Sequence, residues 1–93
     1  MIWSFADPET ETIWSGRRSR RLPSDIQGVA LRKLRLLNQA KALGDLRVPP
    51  GNRLEALSGR LAGFHYIRIN DQWRICFVWR DGEAHRVEIV DYH

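Results

Sequence analysis

From Phe64 to Val90 the chain alternates apolar and polar residues across two short turn signals, Asn70-Asp71-Gln72 and Arg80-Asp81-Gly82. Turns so closely spaced break any helix, and a period of two leaves one apolar face to bury. The pattern predicts three strands, Phe64 to Ile69, Trp73 to Trp79 and about Glu83 to Val90, joined as antiparallel hairpins. It also predicts their register, because a one-residue slip turns every apolar side chain outward. A three-residue loop at 70–72 sets Ile69 against Trp73 and Ile67 against Ile75. A three-residue loop at 80–82, with Gly82 left-handed, sets Ile75 against Val87 and Trp73 against Ile89. Arg68, Arg74 and Glu88 then share the opposite face, where Glu88 relieves the repulsion between two arginines. That face is either a solvated surface with an ion pair or a site awaiting a phosphate. His65 and His85 fall on the apolar register and read as histidines at the core edge.

The preceding residues read differently. Ile2 to Ala6 suits a short first strand. Asp7-Pro8 looks like an N-cap followed by proline at the first helical position, with Glu9 and Glu11 at the positive helix end and Gly16 as the stop. An arginine-rich loop runs to Pro23. Ser24 can cap a second helix, whose stripe is Ile26, Val29, Ala30, Leu34 and Leu37. That helix fades near Lys41, and Gly44 marks its end. Val48-Pro49-Pro50-Gly51-Asn52 is too stiff for helix and delivers the chain to a strand near Arg53 to Leu57, with a turn from Gly59 to Gly63. The order β-α-α-β-β-β-β predicts an α+β fold, two N-terminal helices packed on one face of a mostly antiparallel sheet. With 93 residues, a single domain spanning 1–93 is expected.

Composition narrows the function classes. No apolar run approaches a membrane span, and the first residues lack the features of a signal peptide. Cys76 is the only cysteine, so it forms no internal disulfide, and within an apolar run it reads as a small buried hydrophobe. These features point to a cytoplasmic protein. Net charge is +4, and 13 of the 15 basic residues are arginine. Arginine grips phosphate with a planar fork, which suits a nucleic-acid partner, although a GC-rich genome also raises its share. Arg17, Arg18, Arg20 and Arg21 cluster in the loop between the helices. They either hold an RNA or ribosome backbone or form a solvated turn.

His65, His85 and His93 lack metal-ligand spacing, and no phosphate-cradling glycine loop or serine elbow is present. The ending Asp91-Tyr92-His93 stands out. Metal-independent RNA cleavage needs a proton taken from a 2′-hydroxyl, a stabilised phosphorane and a proton given to the 5′-oxygen. His, Tyr and Asp can move or orient protons, and Arg can stabilise charge. A frayed polar tail is the competing reading.

Three segments carry a resemblance. Pro49-Pro50-Gly51-Asn52-Arg53-Leu54-Glu55-Ala56-Leu57, Arg68-Ile69-Asn70-Asp71-Gln72-Trp73-Arg74-Ile75-Cys76-Phe77 and Val87-Glu88-Ile89-Val90-Asp91-Tyr92-His93 together resemble HigB-type toxins. The likeness spans essentially the whole chain and includes Ser4-Phe5. It implies a RelE/ParE-like fold, a type II toxin–antitoxin pair and cleavage of mRNA in the ribosomal A site. It further implies neutralisation by a HigA-type helix-turn-helix antitoxin, through which alone DNA would be met, and no cofactor or metal. The 70S ribosome and mRNA become expected partners, and a membrane does not. On this resemblance, Asp91, Tyr92 and His93 match the C-terminal catalytic group and Arg74 the sheet arginine, with Arg68 as a second cation. Many relatives carry Lys where this chain has Ser58, so either Arg53 or Arg60 substitutes or activity is weaker. Glu55 stands where some members have His and is a further substrate-binding candidate, which either acts on a proton or merely caps the strand. A ParE-like toxin that inhibits DNA gyrase without cleaving anything is the main alternative, and a non-toxic nucleic-acid-binding module is a third.

Overall fold

The computed structural model describes residues 1–92. Helix α1 is Pro8–Trp14 and helix α2 is Ser24–Gln39. Four strands follow: β1 (Glu55–Ala56), β2 (Phe64–Arg68), β3 (Trp73–Arg80) and β4 (Glu83–Asp91). They form an antiparallel sheet in the order β1-β2-β3-β4. The N-terminal segment lies parallel to β4 through two isolated bridges, Ile2 to Ala84 and Phe5 to Val87, where a first strand is expected. Asn38 Oδ1 accepts the Ile2 N–H at 2.9 Å, tying this edge to α2.

The core lies between the helices and one sheet face. Ile13 of α1 and Ile26, Ala30, Leu34 and Leu37 of α2 meet Ile67, Ile75, Phe77, Ala84, Val87 and Ile89. Leu34 and Leu37 are fully buried, and such side chains contribute about 1.5–3 kcal/mol each. Val29, expected in the same stripe, is only half-buried. The fully buried Thr10 hydroxyl accepts the Ile89 N–H at 2.9 Å, which docks α1 on β4.

Several expected boundaries move. Ser24 is the first residue of α2 rather than its cap, because Pro23 takes the flanking extended conformation. Helix α2 stops at Gln39, and Gly44 lies inside a 3₁₀ turn, Leu43–Arg47. The Asp45 carboxylate accepts the Lys41 and Ala42 N–H groups at 3.0 Å each, and this turn replaces a glycine stop. Within the proline-rich linker, Pro50–Asn52 is also a 3₁₀ turn. The expected strand over 53–57 shrinks to two residues, and at its start the left-handed Arg53 (φ 47°) interrupts extended backbone.

The first hairpin has the expected register: Ile67 faces Ile75 and Arg68 faces Arg74. The second departs from it. Its turn has two residues, since Arg80 pairs with Glu83 and both Asp81 (φ 54°) and Gly82 (φ 76°) are left-handed. Two such residues suit the turn whose twist matches a hairpin. Trp79 then faces a fully buried Ala84, and His85 pairs with Val78. His85 therefore sits on the outer face, 6.1 Å from the Trp3 ring, and not on the core register. Between Val78 and Cys76 the register shifts again, so that Arg86 and Val87 together oppose Phe77 in a β-bulge. Arg86 is left-handed (φ 53°) and gives its N–H to Ser4 Oγ at 2.9 Å. Beyond the bulge Ile75 meets Ile89 and Trp73 meets Asp91, in place of the expected Val87 and Ile89. The two one-residue offsets add to two, so Ile75, Ile89 and the other apolar residues keep the face that alternation predicts. His65, as expected, lies at the core edge, stacked on Phe77 with ring centroids 5.9 Å apart.

Candidate functional site

The sheet face turned away from the helices carries Tyr66 and Arg68 of β2 and Arg74, Cys76 and Glu88 of β3 and β4. Alternation puts them there: Tyr66 pairs with Cys76, Cys76 with Glu88, and Arg68 with Arg74. Arg68 and Arg74 are directly opposite, a placement that costs energy unless each charge is answered. Arg68 is answered by an ion pair with the Asp71 carboxylate in the hairpin loop. Glu88, expected to serve this purpose, lies opposite Cys76 instead. Arg74 is half-buried, and its Nη1 donates to the carbonyl oxygens of Asn70 and, at 3.1 Å, Trp73. Its Cζ stands 4.2 Å from the centroid of the Tyr92 ring, a cation–π contact. A guanidinium has five N–H donors, so anchoring Nη1 leaves others to meet an anion.

The hairpin loop also secures the tail. Gln72 Nε2 donates to Asp91 Oδ2 at 3.1 Å, and the Gln72 carbonyl accepts the Tyr92 N–H at 2.5 Å. Tyr92 is 41% exposed. Its ring meets the Tyr66 ring nearly at right angles (81°), centroids 5.7 Å apart. Burial pushes the Tyr66 phenol above its usual pKa, with Cys76, Tyr92 and Glu55 adding to the shift and Arg74 opposing it. Burial, reinforced by Glu88, pushes the Cys76 thiol up to about 11. Cys76 is thus a poor nucleophile, in keeping with its reading as a small buried hydrophobe.

The structure brings Arg68, Arg74 and Tyr92 together, whereas Asp91 pairs with Trp73, falls on the other face of the sheet and meets the hairpin loop through Gln72. Glu55 is exposed and pairs with Tyr66 across β1 and β2, at the rim of the same face. Arg53 and Arg60 are exposed on the turns that flank β1, outside the contacts that build the Arg74 cluster. Ser58, exposed ahead of the second of these turns, adds no charge. His93 lies outside the described residues. Arg17, Arg18, Arg20 and Arg21 are exposed on the helix side of the molecule. Their loop is held by the buried Ser19, whose hydroxyl donates to Glu9 Oε1 at 2.5 Å and accepts the Arg21 and Leu22 N–H groups. Beside it an open groove of about 260 Å³ is lined by Ile13, Arg17, Arg18 and Leu31, among others. Sequence reasoning missed Tyr66 and Gln72. The alternation that places Arg68 also places Tyr66, whereas the Gln72 tie joins residues far apart in the chain and has no local signal. Among the described residues, no group of three or more His, Cys, Asp or Glu side chains is placed to hold a metal ion, and no helix is long and apolar enough to cross a membrane.

Comparison with known proteins supplies context for this geometry. Residues 4–93 match a family model described as a RelE-like toxin of the type II toxin–antitoxin system HigB. Toxin HigB-1 of Vibrio cholerae serotype O1 is 45% identical over 85 residues, covering 90% of each chain. An uncharacterized protein of Haemophilus influenzae is 31% identical over 72 residues, 77% of this chain and 71% of that one. The fold is shared with the YoeB–YefM complex from Staphylococcus aureus, at a TM-score of 0.58 and 14% identity over 100% of this chain and 98% of that one. A YafQ variant from E. coli is similar at a TM-score of 0.51 and 13% identity, covering 94% and 91%.

Proposed function

This chain belongs to the HigB-like family, RelE-like toxins of type II toxin–antitoxin systems, and on that premise we propose that it is a ribosome-dependent endoribonuclease cutting mRNA in the ribosomal A site. Membership makes an antitoxin its partner, and the HigA-type helix-turn-helix class is the one proposed. Contact with DNA would run through that antitoxin. The 70S ribosome, its mRNA and the cytoplasm complete the proposed setting.

The observation that carries the reading is Arg74, a cation anchored by backbone carbonyls and seated on the Tyr92 ring, beside Arg68 on an open sheet face. In the proposed reaction the ribose 2′-oxygen loses its proton to a base and attacks phosphorus. The P–O5′ bond breaks and the 5′-oxygen takes up a proton. The products are a 2′,3′-cyclic phosphate and a 5′-hydroxyl. Arg74, with Arg68, stabilises the charge on the phosphorane, where one well-placed donor is worth about 10²–10³ in rate. Tyr92 stacks on or hydrogen-bonds the substrate, and Asp91, tied to Gln72, holds the tail. His93 is proposed to protonate the 5′-oxygen or orient the phosphate, since imidazole titrates near neutrality. Arg53, Arg60 and Glu55 are proposed substrate contacts, and the loop arginines weaker contacts to ribosomal RNA.

Primer extension on 70S ribosomes programmed with a defined mRNA tests this. Cuts confined to the A-site codon and dependent on ribosomes are expected. Arrest of growth by soluble toxin without any cut would instead favour a non-nucleolytic target such as gyrase.

A further inference from the structure

We propose that Tyr66 is a positioning residue of this site: its ring holds the Tyr92 ring against the Arg74 guanidinium and so presents Tyr92 to the substrate in one orientation. The inference rests on the cleavage reading above and adds to it a residue that neither the C-terminal motif nor the sheet arginines include.

Tyr92 follows the last residue of β4, so the sheet ladder does not fix its side chain, and its backbone N–H donates to the Gln72 carbonyl. A tyrosine in that situation samples several side-chain rotamers. Two contacts restrict it here, Arg74 over the ring and Tyr66 packed at 81°. Tyr66 is itself well held. It lies mid-strand, half-buried, between Glu55 on β1 and Cys76 on β3. Perpendicular aromatic pairs are favoured because the positive edge of one ring meets the negative face of another. The Arg74 charge is attracted to the same ring and prefers it in one place. Tyr66, Tyr92 and Arg74 therefore form a unit in which the strand-borne ring orders the tail-borne one.

The test compares Tyr66→Ser with Tyr66→Phe in the full chain, each also in a Tyr92→Ala background. Tyr66→Ser should slow single-turnover cleavage on programmed ribosomes roughly three- to tenfold, the range typical of an aromatic pair. The ribosome concentration for half-saturation should stay unchanged. Tyr66→Phe should restore most of the lost rate, and in the Tyr92→Ala background Tyr66→Ser should cost nothing further. NMR of ring-labelled tyrosine provides a readout free of the ribosome: the Tyr92 ring signals should shift toward those of a mobile side chain in Tyr66→Ser and not in Tyr66→Phe. Undisturbed Tyr92 signals in a folded Tyr66→Ser protein would overturn the proposal. So would a Tyr66→Phe protein as slow as Tyr66→Ser, which would make the hydroxyl the working group. If wild type itself cuts no mRNA, the cleavage reading fails, while the NMR comparison still decides whether Tyr66 holds Tyr92.

Discussion

Two groups of arginines occupy opposite sides of this molecule, and they are held in different ways. On the sheet face Arg74 is fixed by two carbonyls and an aromatic ring, and beside it Arg68 pairs with the exposed Asp71. In the loop between the helices the backbone is fixed, through Ser19, while the guanidinium groups of Arg17, Arg18, Arg20 and Arg21 are exposed. A cation immobilised before its ligand arrives can stabilise a charge that develops only in a transition state, because no reorganisation is needed. An exposed cation on a flexible stem attracts a polyanion at any of many positions and is screened by salt. The difference separates groups suited to chemistry from groups suited to encounter.

The strongest way to break this contrast is Arg74→Ala. Cleavage should fall by about 10²–10³, while the melting temperature changes little because the side chain lies off the core face. Equal single-turnover rates for mutant and wild type would remove Arg74 from the mechanism. Arg74→Lys should recover little, since an ammonium cannot reproduce the planar fork or the seat on Tyr92.

Ser19→Ala probes the other side. It removes a buried hydroxyl that serves three partners, so stability should drop by about 1–3 kcal/mol in a denaturant titration. The cleavage rate of the folded fraction should be unaltered. A large catalytic loss there would show that the loop takes part in the chemistry.

Gln72→Ala tests whether the tail is held by the hairpin. Losing the bond to Asp91 should lower single-turnover cleavage roughly two- to tenfold, the equivalent of one net hydrogen bond. An unchanged rate would leave Asp91 held by other contacts. The smallest effects belong to the loop arginines. Replacing Arg20 by Gln should change the rate less than about twofold at moderate salt while lowering the salt slope of ribosome binding by about one. A loss matching that of Arg74 would erase the distinction between the two groups.

Much of this was legible in the residues. Period-two alternation placed Arg68 and Arg74 on one face, and helical spacing identified most of the α2 stripe. What escaped has physical causes. Arg80-Asp81-Gly82 supports either a two- or a three-residue turn, and the choice depends on pairing farther along the strands. No glycine marks the left-handed residues Arg53 and Arg86, so neither the shortened β1 nor the bulge left a local trace. Asp71 rather than Glu88 answers Arg68 because the loop folds back on its own strand. Such choices are settled by tertiary packing and not by propensity.

The bulge at Arg86 has a consequence for lineages and for engineering. Arg86 is the extra residue of β4, so removing it would leave Val87 alone opposite Phe77 and keep His85 with Val78 and Glu88 with Cys76. A one-residue gap at this place should therefore be tolerated when related chains are aligned, whatever the length of the turn before it. In this chain, deleting Arg86 should leave a folded sheet with the same outward set, at the cost of the N–H given to Ser4 Oγ.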